Sequence, residues 1–203
     1  MIKFSVLIAT LDDRKKQFDM LHTHLMNQIG FNYLQKDVEI LVFSDSREYP
    51  IGLKRNELIN EANGLFTAFV DDDDWVSDDY ITSIVGTINS NPDLDCIGIK
   101  GKLVSEAVGN KEFIHSLKYD GYYEDVSYYY RPPNHLNPVR KSLIQNYLFP
   151  ISNYGEDFDW AMKLCKNKVF SNEVFIDKIL YYYYYEPEKV QRFCMIEGVT
   201  NEI

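Results

Sequence analysis

The sequence predicts an α/β fold: a doubly wound, mostly parallel central sheet with helices on both faces, followed by a mixed, aromatic-rich C-terminal half. Two observations carry that class. Before Pro92, three apolar runs are each followed by a helical pattern, and beyond Pro92 the chain changes to short aromatic strands.

Residues 3–9, KFSVLIA, form a near-continuous apolar run with β-branched members, the pattern of a strand covered on both faces. Thr10, Asp12 and Asp13 follow as capping residues, and Phe18, Leu21, Leu25 and Ile29 then recur at helical spacing, with Gly30 expected to end the helix. A second strand, VEILVFS at 38–44, precedes the helical stretch LKRNELINEAN, in which Leu58 and Ala62 share a face and Gly64 supplies the expected stop. The third strand, LFTAFV at 65–70, runs into four aspartates. Ser77, Asp78 and Asp79 then open another helix, with acidic residues at its positive end. The later strands are LDCIGIK, EFIHSLK, YYEDVSYYY and FIDKILYYYYY. Helices are expected after Pro138, in VRKSLIQNY, and from Glu156, in EDFDWAMKLCKN, with Trp160 and Leu164 as the buried stripe of the latter.

With 203 residues, 45% hydrophobic and 26% charged, the chain reads as one domain over 1–203 with halves at 1–91 and 92–203. No window approaches the roughly 18 consecutive apolar residues of a membrane span, and MIKFSVLIAT lacks a small-residue cleavage site. A cytoplasmic location is expected, with peripheral membrane contact left open. Cys96, Cys165 and Cys194 are odd in number and widely spaced, which fits neither a disulfide framework nor a Cys-x-x-Cys site. The net charge of −10, from 31 acidic against 21 basic residues, argues against unaided nucleic-acid binding.

In open α/β sheets ligands collect outside the carboxyl ends of the strands. Asp12 and Asp13, Asp45, and Asp71 to Asp74 stand at three such ends. A solvated acidic turn is the plain reading of FVDDDDW, but this run terminates a wholly apolar strand and leads into Trp75. Counted as an EF-hand from Asp71 it fails, because Trp75 and Val76 fall where an acidic ligand and Gly are needed and Thr82 falls where Glu is needed. A hard divalent cation on one or two carboxylates, completed by water and phosphate, remains. Two like charges at about 4 Å repel by about 4 kcal/mol at an effective dielectric near 20, so a diphosphate approaches these aspartates only with Mg²⁺ or Mn²⁺ between them. Lys54 and Arg55 offer further cationic contacts, with a solvated helix face as the alternative for Lys54.

Four segments together, SVLIATLDDR, FSDS, GLKRNELINEANGLFTAFVDDDDWVSDDY and the GED at 155–157 followed by FDW, resemble the inverting family-two glycosyltransferases, which have a GT-A-type fold and nucleotide-sugar donors. The sequence departs from that pattern at Ala9, where proline is common, and at Leu11, where an aromatic residue often stacks on the base. The resemblance implies that Thr10, Asp12, Asp45, Arg55, Asp71 and Asp72 contact the donor, with Asp45 at the base. It also implies that Asp71 and Asp73 ligate the metal, and that Asp157, with Glu156 second, is the general base. His135, in the proline-bounded loop RPPNHLNPVRK, resembles a loop residue over the sugar or diphosphate. Arg131, Arg140 and Lys141 flank it and offer contacts to diphosphate or acceptor, with solvation of each as the plainer reading. Alternation in a strand sends Tyr181, Tyr183 and Tyr185 to one side, and tyrosine suits carbohydrate through its flat apolar face and hydroxyl. The closing segment lacks the family's frequent histidine, so no third protein ligand to the metal is implied.

The functional expectation is a metal-dependent inverting glycosyltransferase, taking a sugar from a nucleoside diphosphate sugar, UDP in particular, to a hydroxyl on a glycan or other acceptor. The alternatives are a non-catalytic nucleotide- or carbohydrate-binding module of the same fold, transfer to a hydroxylated DNA base, and a sugar nucleotidyltransferase, whose Gly-rich, lysine-bearing opening loop is missing. No Gly-x-Ser-x-Gly elbow, Walker loop or Gly-x-Gly-x-x-Gly fingerprint occurs.

Overall fold

The computed structural model describes residues 1–186; Cys194 and the segment expected to follow the last strand lie outside the described residues. Strand β1 (Phe4–Leu11) leads through a 3-10 turn at Asp12–Arg14 into α1 (Lys15–Phe31), followed by β2 (Val38–Asp45), α2 (Ile51–Glu61), β3 (Phe66–Phe69), the short β4 (Trp75–Val76) and α3 (Tyr80–Ser90). The second half holds β5 (Cys96–Val104), β6 (Lys111–His115), β7 (Tyr123–Glu124), β8 (Tyr128–Arg131), β9 (Val139–Arg140), α4 (Lys141–Ile144), α5 (Glu156–Lys166) and β10 (Glu173–Tyr184).

One ten-stranded sheet runs β2-β1-β3-β9-β5-β6-β8-β7, with β10 joined to β5 and β4. The pairs β2–β1 and β1–β3 are parallel, so Leu11, Asp45 and the residues after Phe69 emerge along one edge. Beyond β3 the sheet is mixed: β9 is antiparallel to β3 and β5, and β6 antiparallel to β5 but parallel to β8.

Alternation along β1 builds two cores. Phe4, Val6 and Ile8 pack with Leu21, Leu25 and Ile29 of α1 and Ile81, Ile84 and Val85 of α3 on one face. On the other, Leu7 and Ala9 meet Leu58 of α2 and Trp160 and Leu164 of α5. Each fully buried aliphatic or aromatic side chain contributes roughly 1.5–3 kcal/mol. Among the described residues no helix is long and apolar enough to cross a membrane.

Three local expectations are corrected. Gly30 lies inside α1, which runs to Phe31, and the turn comes at Tyr33, with φ of 57°. The helix expected over 139–147 shrinks to four residues, because Val139 and Arg140 are taken into the sheet between β3 and β5, and the Arg140 guanidinium bonds the carbonyls of Leu94 and Pro92 at 2.7 and 2.6 Å. Gly64 does not close α2, which ends at Glu61. It lets the chain pass against β1, where a Cβ would lie 2.5 Å from Ser5 Oγ and 2.7 Å from Ser5 N.

Gly86, exposed within α3, has open space where a methyl group would stand, with nothing within 4 Å. Gly86→Ala is therefore expected to stabilise the fold by about 0.5–1 kcal/mol, and Gly64→Ala to destabilise it by about 1–3 kcal/mol through overcrowding. Urea midpoints moving in the same direction for both variants would contradict this packing.

Candidate active site

Two cavities open along the edge where the parallel strands end. The first, about 550 Å³, is lined by Thr10 and Leu11 after β1, Tyr49 and Lys54 from the β2–α2 region, Arg14, Arg55, Asp71 to Asp73, and Tyr154 and Glu156. The second, about 560 Å³, is lined by Asp74, Phe113, His115, Tyr129, Arg131, His135, Asp157, Tyr183 and Tyr185. Both are in the size range of small-molecule sites. Their common wall is Arg55, Asp71, Asn153, Tyr154 and Glu156.

The four aspartates divide by parity. Val70, Asp72, Asp74 and Val76 are buried, while Asp71 and Asp73 reach toward solvent. Asp72 accepts the Thr10 hydroxyl and an Arg14 N–H, both at 2.7 Å. Asp74 accepts the Tyr181 hydroxyl at 2.7 Å and the Tyr184 N–H at 2.9 Å, and the Tyr181 oxygen in turn accepts the Asp71 N–H at 3.1 Å. Burial raises the Asp74 pKa well above the ordinary value, and repulsion from Asp71 and Asp73 adds to it. Asp73 is raised by burial too, against the pull of Arg14, whose Nη1 lies 3.3 Å away. Asp71 goes the other way: burial opposes its ionisation, but Arg55, His135 and Arg14 outweigh it and lower its pKa.

Arg55 is buried, with Nη2 3.3 Å from Asp71 Oδ1 and Nε 3.3 Å from Glu156 Oε1. Its guanidinium carbon lies 5.1 Å from the centre of the Phe69 ring and 5.7 Å from that of Phe149. His135, also buried, places Nε2 3.4 Å from Asp71 Oδ2 and Nδ1 3.8 Å from Asp157 Oδ2. Glu156 and Asp157 open α5, where the helix dipole favours carboxylates, after Gly155 at φ of 72°, a left-handed conformation suited to glycine. Burial raises the Glu156 pKa, with Arg55 opposing and Asp157 reinforcing the rise.

Of the residues expected at the donor, Thr10, Arg55, Asp71, Asp72 and Asp73 line the first cavity and His135 the second. Asp12 and Asp45 line neither. Exposed Asp12 accepts the Ser44 and Ser46 hydroxyls at 2.5 and 2.6 Å and ties the ends of β1 and β2 together. Asp45 is buried, accepting the Tyr49 N–H at 2.8 Å and pairing with Lys54. Burial works against its ionisation, but Lys54 and the Tyr49 N–H lower its pKa. Lys54 is not on a solvated face; its Nζ also donates to the Thr10 carbonyl at 3.1 Å. Sequence reasoning missed Arg14, Tyr49 and Tyr154 in the first cavity and His115 in the second. His24 stacks on Trp75 with ring centres 4.4 Å apart.

Among the described residues no three His, Cys, Asp or Glu side chains form a ready metal cage. Asp71 and Asp73, the two aspartates of the run that reach toward solvent, nevertheless fit a hard cation that keeps its remaining positions for water and phosphate oxygens.

Residues 27–148 match the family model described as Glycosyl transferase family 2. Among solved structures, the chain is similar over its whole length to S. aureus TarS 1–349 in complex with UDP (20% identity, 67% of that chain, TM-score 0.62). It is similar to the same protein in complex with UDP-GlcNAc (19%, 68%, 0.62), and to a longer S. aureus TarS chain, of which it spans 40% (19%, 0.59). These likenesses show a shared GT-A fold. A search of curated proteins gives no match.

The raised Asp74 pKa sets a sign for stability. A buried carboxyl whose folded pKa exceeds its unfolded value, about 3.9, loses stability as pH rises between the two. Asp74→Asn keeps a neutral group of the same shape, so its stability relative to the unsubstituted chain should improve as pH rises above about 4. Urea unfolding across that range checks this; a constant difference would show that Asp74 does not carry the shift.

Proposed function

We propose that this chain, which belongs to glycosyl transferase family 2, moves one sugar from a UDP-sugar to an acceptor hydroxyl with inversion at the anomeric carbon. One observation carries the reading: two cavities meet at a wall of Arg55, Asp71 and Glu156, with Asp157 on the far side of that wall from Asp73. An inverting transfer needs that separation, because the hydroxyl attacks the anomeric carbon from the face opposite the leaving diphosphate. The UDP and UDP-GlcNAc in the similar TarS structures support a uridine donor in the first cavity. Within a single domain, residues 1–91 supply most of the donor side and the described residues from 92 onward most of the acceptor side.

Asp71 and Asp73 would hold Mn²⁺ or Mg²⁺. Such an ion, when bound, neutralises charge developing on the leaving diphosphate. Arg55 and Arg14 orient the acidic loop, and Thr10 fixes Asp72 beneath it. Asp157 is the general base: its carboxylate takes the proton of the attacking hydroxyl. Buried Glu156 is held by Arg55 and shapes the wall instead. His135 stands between Asp71 and Asp157 and positions Asp71 through Nε2 at 3.4 Å.

Asp157→Asn should lower kcat by about 10²–10⁴ while UDP with Mn²⁺ still raises Tm. Loss of the UDP shift together with activity would remove Asp157 from the base role. In the unsubstituted chain, nucleotide at a hundredfold excess over Kd stabilises by about 2.7 kcal/mol. Asp73→Asn, or EDTA, should abolish the metal-dependent part of that shift. A UDP shift indifferent to both would overturn the metal assignment, and a chain that binds UDP but transfers to no acceptor would favour a binding module.

A further inference from the structure

The second cavity holds two polar groups that the proposed chemistry leaves unused. His115 and Arg131 are register partners in the parallel pairing of β6 and β8, so both side chains leave the same sheet face. Phe113 and Tyr129, the preceding pair on that face, line the same cavity.

His115 is 1% exposed and packs on Phe113 with ring centres 4.6 Å apart. Its Nδ1 lies 3.2 Å from Asn137 Oδ1. The remaining bonds of Asn137 fix that amide: Nδ2 donates to the Ile97 carbonyl at 2.9 Å, and Oδ1 accepts the Asn134 N–H at 3.0 Å. Asn137 thus presents an acceptor to the ring, Nδ1 carries the proton, and neutral His115 is left with an unshared pair at Nε2. Nε2 is buried and has no hydrogen-bond partner. Burial, the Arg131 charge and the His135 charge hold the His115 pKa well below the ordinary imidazole value, which keeps the ring neutral.

Arg131 supplies the complementary group. Its guanidinium carbon lies 4.9 Å from the Tyr122 ring centre and 5.9 Å from that of Tyr129. Stacking of this kind fixes the plane of the group and leaves its N–H edge available. Arg14, Arg47 and Arg55 face carboxylates and Arg140 bonds carbonyls, whereas the Arg131 side chain has neither partner among the described residues.

We propose that His115 and Arg131 together read the acceptor: Nε2 accepts a hydrogen bond from one of its hydroxyls and the guanidinium takes an anionic group, so the acceptor is a saccharide carrying a phosphate or carboxylate. This rests on the reading of the second cavity as the acceptor side. Asp157 and Glu156, also lining the cavity, repel such an anion. The charge therefore seats toward β8 and the reacting hydroxyl toward Asp157.

Glucose 6-phosphate, glucuronate and methyl glucoside are titrated into the full chain, with and without UDP and Mn²⁺, while the side-chain nitrogen resonances of histidine are followed. The unsubstituted chain should bind a charged sugar about tenfold more tightly than the neutral one, with the His115 Nε2 signal moving. Arg131→Gln should erase that advantage and leave methyl glucoside unchanged, and His115→Phe should weaken all three while keeping the charged-over-neutral ratio. An advantage confined to glucose 6-phosphate identifies phosphate as the anion, and one shared with glucuronate identifies either anion. Equal binding of the three, binding of none, or an Arg131→Gln that weakens all alike overturns the proposal; the last would mean that Arg131 only balances the acidic wall. The UDP-induced Tm shift of each protein reports folding and the donor site separately. If that shift is absent in the unsubstituted chain the donor reading fails, and the titrations without nucleotide still decide this one.

Discussion

The site depends on one buried cation. A guanidinium taken out of water is strongly unfavourable unless opposite charges and polarisable surfaces meet it, and Arg55 finds both: Asp71 and Glu156 at its edges, Phe69 and Phe149 against its faces. These partners come from the loop after β3, the start of α5, β3 itself and the segment before α5. Surrounding Arg55 with these groups holds α2, the acidic loop and α5 in one arrangement, with Nη2 bonded to Asp71 and with Nε and Nη1 buried without a hydrogen bond. Phe149 carries the constraint further, stacking on Trp160 with ring centres 4.5 Å apart, and the indole N–H donates to the Tyr147 carbonyl. Glu156, Arg55, Asp71, His135 and Asp157 follow one another at 3.3, 3.3, 3.4 and 3.8 Å, and the neighbouring positions of Glu156 and Asp157 close the circuit. Three of its members, Glu156, Arg55 and Asp71, stand in the wall between the cavities, and His135 and Asp157 face the second.

The aspartate run is tolerable for the same reason. Four carboxylates in consecutive positions repel one another, and the fold separates them with a turn closed by the Asp74 N–H on the Asp71 carbonyl at 3.1 Å, which buries Asp72 and Asp74 and leaves Asp71 and Asp73 outward. Asp72 and Asp74 occupy inward positions between Val70 and Val76, so each needs an internal donor, and Thr10, Arg14, Tyr181 and the Tyr184 N–H provide them. The outward pair, Asp71 and Asp73, is the pair with the spacing of an Asp-x-Asp motif. The inward pair builds the loop that presents it.

This explains which parts were legible in the sequence. The three strand-and-helix units of the first half were readable because long apolar runs and helical periodicity have few competing explanations, and the carboxylates at the strand ends followed from parallel topology. Asp157 is singled out by the resemblance of the GED at 155–157 to the family's motif, because an acidic opening of a helix by itself reads as compensation of the helix dipole. Lys54 was left open although it stands four residues before Leu58 on the same face of α2, because a lysine on an apolar stripe reads as solvated until its partner is known. That partner, Asp45, was itself assigned to the ligand. Arg14 lay unremarked inside the quoted LDDR, since its bond to Asp72 joins positions 58 residues apart. β9 was read as helix because two residues are too few for any period to show.

The second half was less legible for a further reason, visible in β10. Ile176 pairs with Ile99, yet Tyr181 pairs with Gly101, so irregularities between them insert three residues on the β10 side. An odd insertion reverses the faces of a strand. Continued in regular register, β10 would have placed Lys178 beside Gly101. With the irregularity, Tyr181 and Tyr183 come beside Gly101 and Leu103, on the face shared with Phe113, and Lys178 instead pairs with Asp79. Alternation in the sequence established that Tyr181, Tyr183 and Tyr185 lie on the same side; it contained nothing to say which side. The bulged register supplies that choice, and both cavities depend on it: Tyr183 and Tyr185 line the second, while Tyr181 holds Asp74 of the second cavity and the amide of Asp71, which lines both.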